Sequence, residues 1–204
     1  IIIKYPPISE QKQIVEILDK AFEGIDRAIA NTKKNLANAR ELFDSYLNSI
    51  SSDKKPLRDL VDIKTGKLNV NAAVENGKYP FFTCSRKIYN IDHYAFDCEA
   101  ILLAGNNATG EFNVKHYEGK FNAYQRTYII TVNNKNLIAY RFLYFELLKS
   151  LRELKNKSVG TGTRFLKLGV IKNLHINVPN FDKQQSILEE LELLTTETQH
   201  LEAI

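Results

Sequence analysis

Residues 10–50 read EQKQIVEILDKAFEGIDRAIANTKKNLANARELFDSYLNSI, with no proline and with Gly24 as the single glycine. Ile14, Leu18, Ala21, Ile25, Ala28, Thr32, Leu36, Ala39, Phe43, Tyr46 and Ile50 recur at steps of three and four. That is the spacing of one apolar seam on an α-helix. Taken this way, the seam holds one extra four-residue step at Thr32, a stutter that would locally relax a supercoil. Pro6-Pro7 turns the chain in, and Ser9 is the expected N-cap. A rod of ~41 residues is ~60 Å long at ~1.5 Å per residue, too long for the core of a small domain. It therefore needs a partner helix.

The end of the chain repeats the pattern. Ile187, Leu191, Leu194, Thr198 and Leu201 form a second seam, with Asp182 as the expected cap and Gln185 at the capping-box position. At an offset of 173 residues, Ile3 falls on Ile176, Pro6 on Pro179, Gln11 on Gln184, Ile14 on Ile187 and Leu18 on Leu191. Both copies read as strand, proline turn, glutamine, amphipathic helix. This is the signature of a globular domain alternating with a long helix.

The chain has 204 residues, 44% hydrophobic and 25% charged, which is the balance of a folded globular protein. No apolar run approaches the ~20 residues of a membrane-spanning helix. Two cysteines, Cys84 and Cys98, cannot build a disulfide framework and fit a reducing cytoplasm. With no methionine anywhere, the chain is expected to begin inside a longer protein. Charge is unevenly placed. Residues 1–50 are neutral, residues 51–180 carry 20 basic against 11 acidic side chains, and residues 181–204 carry 1 against 6. A basic middle between neutral and acidic flanks suggests a domain facing a polyanion.

Between the helices, Tyr79–Thr83, Ala100–Ala104, Phe112–Tyr117, Tyr124–Val132 and Leu174–Val178 have strand character. Tyr117-Glu118-Gly119-Lys120-Phe121 reads as a hairpin turn and Leu137–Leu154 as one buried helix. The expected class is α+β.

Catalytic chemistry finds little support. Cys84, His93, Cys98 and His116 lack the close ligand pairs of a zinc site. There is no G-x-S-x-G, and Gly160-Thr161-Gly162-Thr163-Arg164 lacks the P-loop ending. One alternative is a Mg²⁺-dependent endonuclease built on Asp97, Glu118 and Lys120, whose carboxylates would hold the metal. The loops instead favour binding. Arg86, Lys87, Asn106, Asn107, Gln125, Arg126 and Arg164 are the residue types that bridge guanine or adenine edges. Lys67 and Lys115 suit phosphates, and the backbone and hydroxyls around Thr161 and Thr163 could clasp one.

Pro6-Pro7-Ile8-Ser9-Glu10-Gln11-Lys12-Gln13-Ile14-Val15, Ile17-Leu18-Asp19 and Leu42-Phe43-Asp44-Ser45-Tyr46-Leu47 closely resemble the conserved helical region of Type I restriction–modification specificity subunits. Ile101-Leu102-Leu103-Ala104-Gly105, Tyr117–Phe121 and Gly160–Leu166 resemble landmarks of that family's target recognition domain. The resemblance implies a mixed, β-rich recognition domain at 54–180, flanked by long antiparallel coiled-coil-type helices at 1–53 and 181–204. It implies pairing through Ile14, Leu18, Ile25, Leu36, Phe43, Tyr46, Ile187, Leu191 and Leu194. In the family, two recognition domains each read half of a split double-stranded DNA target, and the helices space them. The subunit has no catalytic site, metal or cofactor of its own. S-adenosylmethionine serves the modification subunits, and ATP and Mg²⁺ the restriction subunit. With one recognition domain, the chain is expected to be a fragment or a half-subunit that dimerises. Ile1-Ile2-Ile3 looks like the exit of a preceding domain, which favours the fragment.

Overall fold

The computed structural model describes residues 6–202, with side chains to residue 196. The strand expected at Ile1–Ile3 and the seam positions Thr198 and Leu201 therefore lie outside the described side chains. Helix α1 (Ile8–Ser49) is continuous. After it come β1 (Lys54–Pro56), β2 (Val61–Thr65), β3 (Tyr79–Phe82), β4 (Tyr89–Ile91), β5 (Phe96–Ala104), β6 (Asn106–Asn107), β7 (Val114–Ala123) and β8 (Thr127–Val132). Then α2 (Tyr140–Lys149), α3 (Leu151–Lys157), β9 (Arg164–Phe165), α4 (Leu168–Lys172), β10 (His175–Asn177) and α5 (Phe181–Glu202) complete the chain.

Six strands form one mixed sheet in the order β2-β8-β5-β7-β3-β4. From Ala100 to Ala104 the central β5 is apolar without alternation because it is covered on both faces. Ala100 and Leu102 join Phe82, Phe121, Ala123 and Ile129 in one core, while Ile101 and Leu103 are buried on the other side. Two strands separated in that order, β8 and β3, nevertheless touch, since the Thr127 hydroxyl donates to the Phe82 carbonyl at 3.2 Å. The sheet curls on itself. At the closure, Gly66 leaves no room for a side chain, because a Cβ there would lie 1.9 Å from the Ala123 carbonyl oxygen.

Several expectations are corrected. The segment Tyr117–Phe121 lies inside β7, in unbroken register against β5 with Cys98 opposite Gly119. Gly119, at φ +125°, allows a long strand to bend where a turn was expected. The true turn is Tyr124–Arg126, closed by Thr127 N–H to the Tyr124 carbonyl at 2.8 Å. The single helix expected at 137–154 is two. It starts late because Asn134 turns the chain, its side chain accepting from Asn136 N–H at 2.9 Å. It breaks at Ser150, whose hydroxyl donates back to the Glu146 carbonyl at 2.8 Å.

The helix caps also differ. Ser9 lies within the first turn of α1, where Gln11 N–H already donates to the Pro7 carbonyl at 3.0 Å. In α5 the cap is Asn180, which accepts from Lys183 N–H at 2.9 Å, so Asp182 sits in the first turn and Gln185 in no capping box. The offset of 173 is nonetheless physical. Gln11 donates to the Pro6 carbonyl at 2.7 Å, and Gln184 donates to the Pro179 carbonyl at 2.9 Å.

Tyr46–Leu191 forms one compact unit, and the rest of α1 with the end of α5 forms another. In the first unit Leu47, Ile50, Ile187, Leu188 and Leu191 are buried, and the Tyr46 hydroxyl bonds Glu190. Burial and that carboxylate push the Tyr46 pKa up to about 12. In the helical unit Thr32, Leu36, Ala39, Phe43 and Leu194 are half-buried, whereas Ile14, Leu18 and Ile25 are exposed. Exposed Val15, Phe22 and Ile29 step backward by sevens from Leu36 and Phe43. Val15, Leu18, Phe22, Ile25, Ile29, Thr32, Leu36, Ala39, Phe43, Tyr46 and Ile50 thus make a second run of threes and fours, which shares its half-buried positions with the first.

Candidate nucleic-acid interface

Four loops meet at one end of the curled sheet. The loop after β3 is shaped by hydroxyls: Thr83 accepts from Ser85 N–H at 3.1 Å and Ser85 from Lys87 N–H at 3.1 Å. This leaves Arg86 and Lys87 exposed, the latter 5.5 Å above the Tyr89 ring. The loop after β5 is wound around Asn107, whose side-chain oxygen accepts from Thr109 N–H, the Thr109 hydroxyl and Glu111 N–H at 2.9–3.1 Å. The turn after β7 exposes Gln125 and Arg126, and Arg126 lies 5.0 Å over the Phe165 ring. The glycine–threonine loop reverses at Gly160, with φ +111°, and closes by Phe165 N–H to the Val159 carbonyl at 2.7 Å.

These loops are locked to one another. Asn106 and Asn107 pair with Phe165 and Arg164 as a small antiparallel ladder. Gly105 N–H donates to the Arg126 carbonyl, and Leu166 N–H to the Gly105 carbonyl, both at 2.9 Å. Asn113 donates to the Cys84 carbonyl at 2.8 Å. Gln125 donates to Asn69 at 2.8 Å, which brings in the segment after β2. Beside it an open cleft of about 450 Å³ is lined by Lys64, Lys67, His93, Phe96 and Asn122.

All eleven residues expected to meet DNA thus lie on or beside these linked loops, but some side chains are exposed and the others engaged or half-buried. Lys67, Arg86, Lys87, Gln125, Arg126 and Thr161 are exposed. Arg164, Lys115 and Asn107 are already engaged, and Gln125, though exposed, donates to Asn69. The Arg164 guanidinium donates to the Ser158 hydroxyl and carbonyl, each at 2.9 Å, and to the Lys155 carbonyl at 3.3 Å. The Lys115 ammonium donates to the Ser85 carbonyl at 2.7 Å and to Asn113. Burial, with Arg86 beside it, holds the Lys115 pKa below the ordinary lysine value. Thr163 and Asn106 are half-buried, and the Asn106 side-chain oxygen is enclosed without a hydrogen-bond partner. Sequence reading missed Asn69, Asn113 and the Glu111–Lys155 ion pair, which ties the loop after β5 to α3.

Substitution should separate the two groups. Arg164→Met is expected to cost about 1–3 kcal/mol, because three backbone and hydroxyl acceptors lose a charged donor. Arg126→Ala, at an exposed turn, is expected to stay within about 0.5 kcal/mol of the parent. Urea denaturation of both variants measures the difference.

The curled sheet and its interlocked loops define a binding domain that offers cationic, amide and hydroxyl groups on one surface. Residues 51–204 match the family model of the Type I restriction modification DNA specificity domain, and the chain belongs to that family. It is 39% identical over 147 residues to the Type I restriction enzyme EcoDI specificity subunit of Escherichia coli, covering 72% of this chain and 32% of that protein. Its fold is similar to the HsdS subunit from Thermoanaerobacter tengcongensis (TM-score 0.65, 15% identity, 97% of this chain and 53% of that one). It is also similar to the S subunit of M. genitalium (TM-score 0.62, 21% identity, 72% of this chain and 39% of that one). The chain spans about a third to a half of the length of these relatives.

The endonuclease alternative is not supported. Its family is one of specificity subunits. Asp97 is exposed and set against Lys120 at 4.0 Å, directly opposite it in the β5–β7 ladder. Among the described residues, no group of three His, Cys, Asp or Glu side chains could hold a metal ion. No helix among them is long and apolar enough to cross a membrane.

Proposed function

We propose that this chain reads one half of a bipartite double-stranded DNA target as the specificity component of a Type I restriction–modification assembly in the cytoplasm. The observation that carries the reading is the convergence of basic and amide side chains on four interlocked loops, in a chain of the specificity family. Arg86, Gln125 and Arg126 read base edges, and Lys67, Lys87 and Thr161 hold phosphates. Asn106, Asn107, Lys115, Thr163 and Arg164 contribute chiefly by fixing the loops from which the others project. The helices scaffold the modification and restriction subunits and pair with the second half of the subunit or a second copy. The chain itself is non-catalytic. S-adenosylmethionine, ATP and Mg²⁺ belong to the partner subunits.

The test is selection of bound duplexes from a random pool in the presence of the modification subunit. One fixed half-site motif is expected, and a pool without enrichment would overturn the reading. In binding titrations, Arg86→Ala or Arg126→Ala should relax preference at one base pair by about 1–3 kcal/mol. Lys67→Ala should instead weaken all sequences alike and reduce the slope of log K against log salt by about 0.9.

A further inference from the structure

Helix α2 carries a buried polar network that none of the loop contacts explains. Glu146 is 2% exposed, yet its carboxylate accepts from Asn177 N–H at 2.8 Å and from the Asn177 amide at 3.1 and 3.3 Å. Lys149, one turn on, lies 4.0 Å from that carboxylate and donates to the Leu47 carbonyl at 2.9 Å. Leu47 belongs to the last turn of α1, and Asn177 to β10, which leads into α5. In addition, β10 pairs with β1, the first strand after α1, with Lys54 opposite Asn177. One network therefore joins the segment that enters the domain, the segment that leaves it and the helix that packs on its sheet.

Stability is a poor reason for such a network. Burying a carboxylate and an ammonium costs several kcal/mol, and apolar side chains of the same volume hold helices together at least as well. The Asn177 side-chain oxygen is moreover buried without a partner, because its amide is turned wholly toward Glu146. A set of directional bonds offers what apolar packing does not, a single registry of the joined segments.

We propose that Glu146, Lys149 and Asn177 are positioning residues that fix the bases of α1 and α5 on the recognition domain. The distance between DNA half-sites is then transmitted through the helices without slack. This rests on the DNA-reading function proposed above. Lys149, at the edge of the network with 22% of its side chain exposed, is the variant least prone to misfold.

The full chain with the modification subunit is offered duplexes carrying two half-sites at varied gaps. Lys149→Met should keep the half-site motif but accept gaps about one base pair longer and shorter than the parent does. Lys149→Arg should restore the parent's discrimination. Without DNA, the Leu47–Ile50 amides of Lys149→Met should exchange hydrogen about tenfold faster, with β5 unchanged. A Met variant with parental gap preference, or with parental exchange at Leu47–Ile50, overturns the proposal. If the parent selects no motif, the DNA reading itself has failed, and the exchange rates alone still decide whether the network holds the helix base.

Discussion

Replacing Gln184 with alanine is expected to lower the melting temperature by about 6–12 °C, whereas the same change at Gln11 should leave it within about 2 °C. The two glutamines are equivalent in the 173-residue repeat but stand in different surroundings. Gln184 is fully buried, and its side chain uses every hydrogen-bonding group it has. It donates to the Leu137 and Pro179 carbonyls at 2.8 and 2.9 Å and accepts from Ala139 N–H at 2.9 Å. These bonds tie the start of α5 to the loop that opens α2. Truncation strands one buried N–H and two carbonyls at about 1–3 kcal/mol per group, with some relief from local relaxation. A net loss of about 3 kcal/mol corresponds to about 2–4 °C per kcal/mol in a protein of this size. Among the described residues the Gln11 side chain bonds only to Pro6, beside exposed Ile14, Val15 and Leu18. Thermal unfolding followed by circular dichroism would compare the two. Equal losses would show that the clamp adds nothing beyond the capping turn.

Duplicating one heptad of α1, residues 29–35, is expected to move the preferred gap between half-sites while leaving each half-site motif intact. The inserted residues lengthen the rod by ~10.5 Å, close to three base pairs at ~3.4 Å each. Seven residues are nearly two helical turns, so the seam keeps its face to within about 20° and the helix pair can re-form one heptad further along. The unbroken alternation from Val15 to Ile50 means that any heptad in this stretch is an equivalent place to insert. DNA twist limits the gain. Three base pairs also turn the duplex by about 100°, so the new site should bind more weakly than the parent site does. A methylation map on sites with gaps increased by one to four base pairs would show the shift. An unchanged gap in a variant that folds and binds would reduce the helix to a dimerisation strut. A four-residue insertion is the control, because it turns the seam by about 40° and should weaken pairing.

The apolar positions of α1 were legible in sequence because a helix repeats its geometry every 3.6 residues, so periodicity alone exposes a face. Their phase was not. Ile14, Ala21 and Ala28 fit threes and fours as well as Val15, Phe22 and Ile29 do, and both sets run into the same half-buried Thr32, Leu36, Ala39 and Phe43. Gly119 misled for a related reason. A glycine between charged residues reads as a turn, but eight consecutive pairings with β5 hold it inside a strand.

The long helices, the repeat that relates their starts, the α+β class and the residue types offered for DNA contact are legible in the amino-acid order. These follow from composition and local pattern, which act between near neighbours. Which of those side chains stand exposed is settled by the fold. Arg126 and Arg164 are the same side chain in similar loops, yet one lies over Phe165 at an exposed turn and the other is consumed by Ser158 and Lys155. Whether a guanidinium is available depends on carbonyls brought to it by the fold, and no local pattern encodes where they will be.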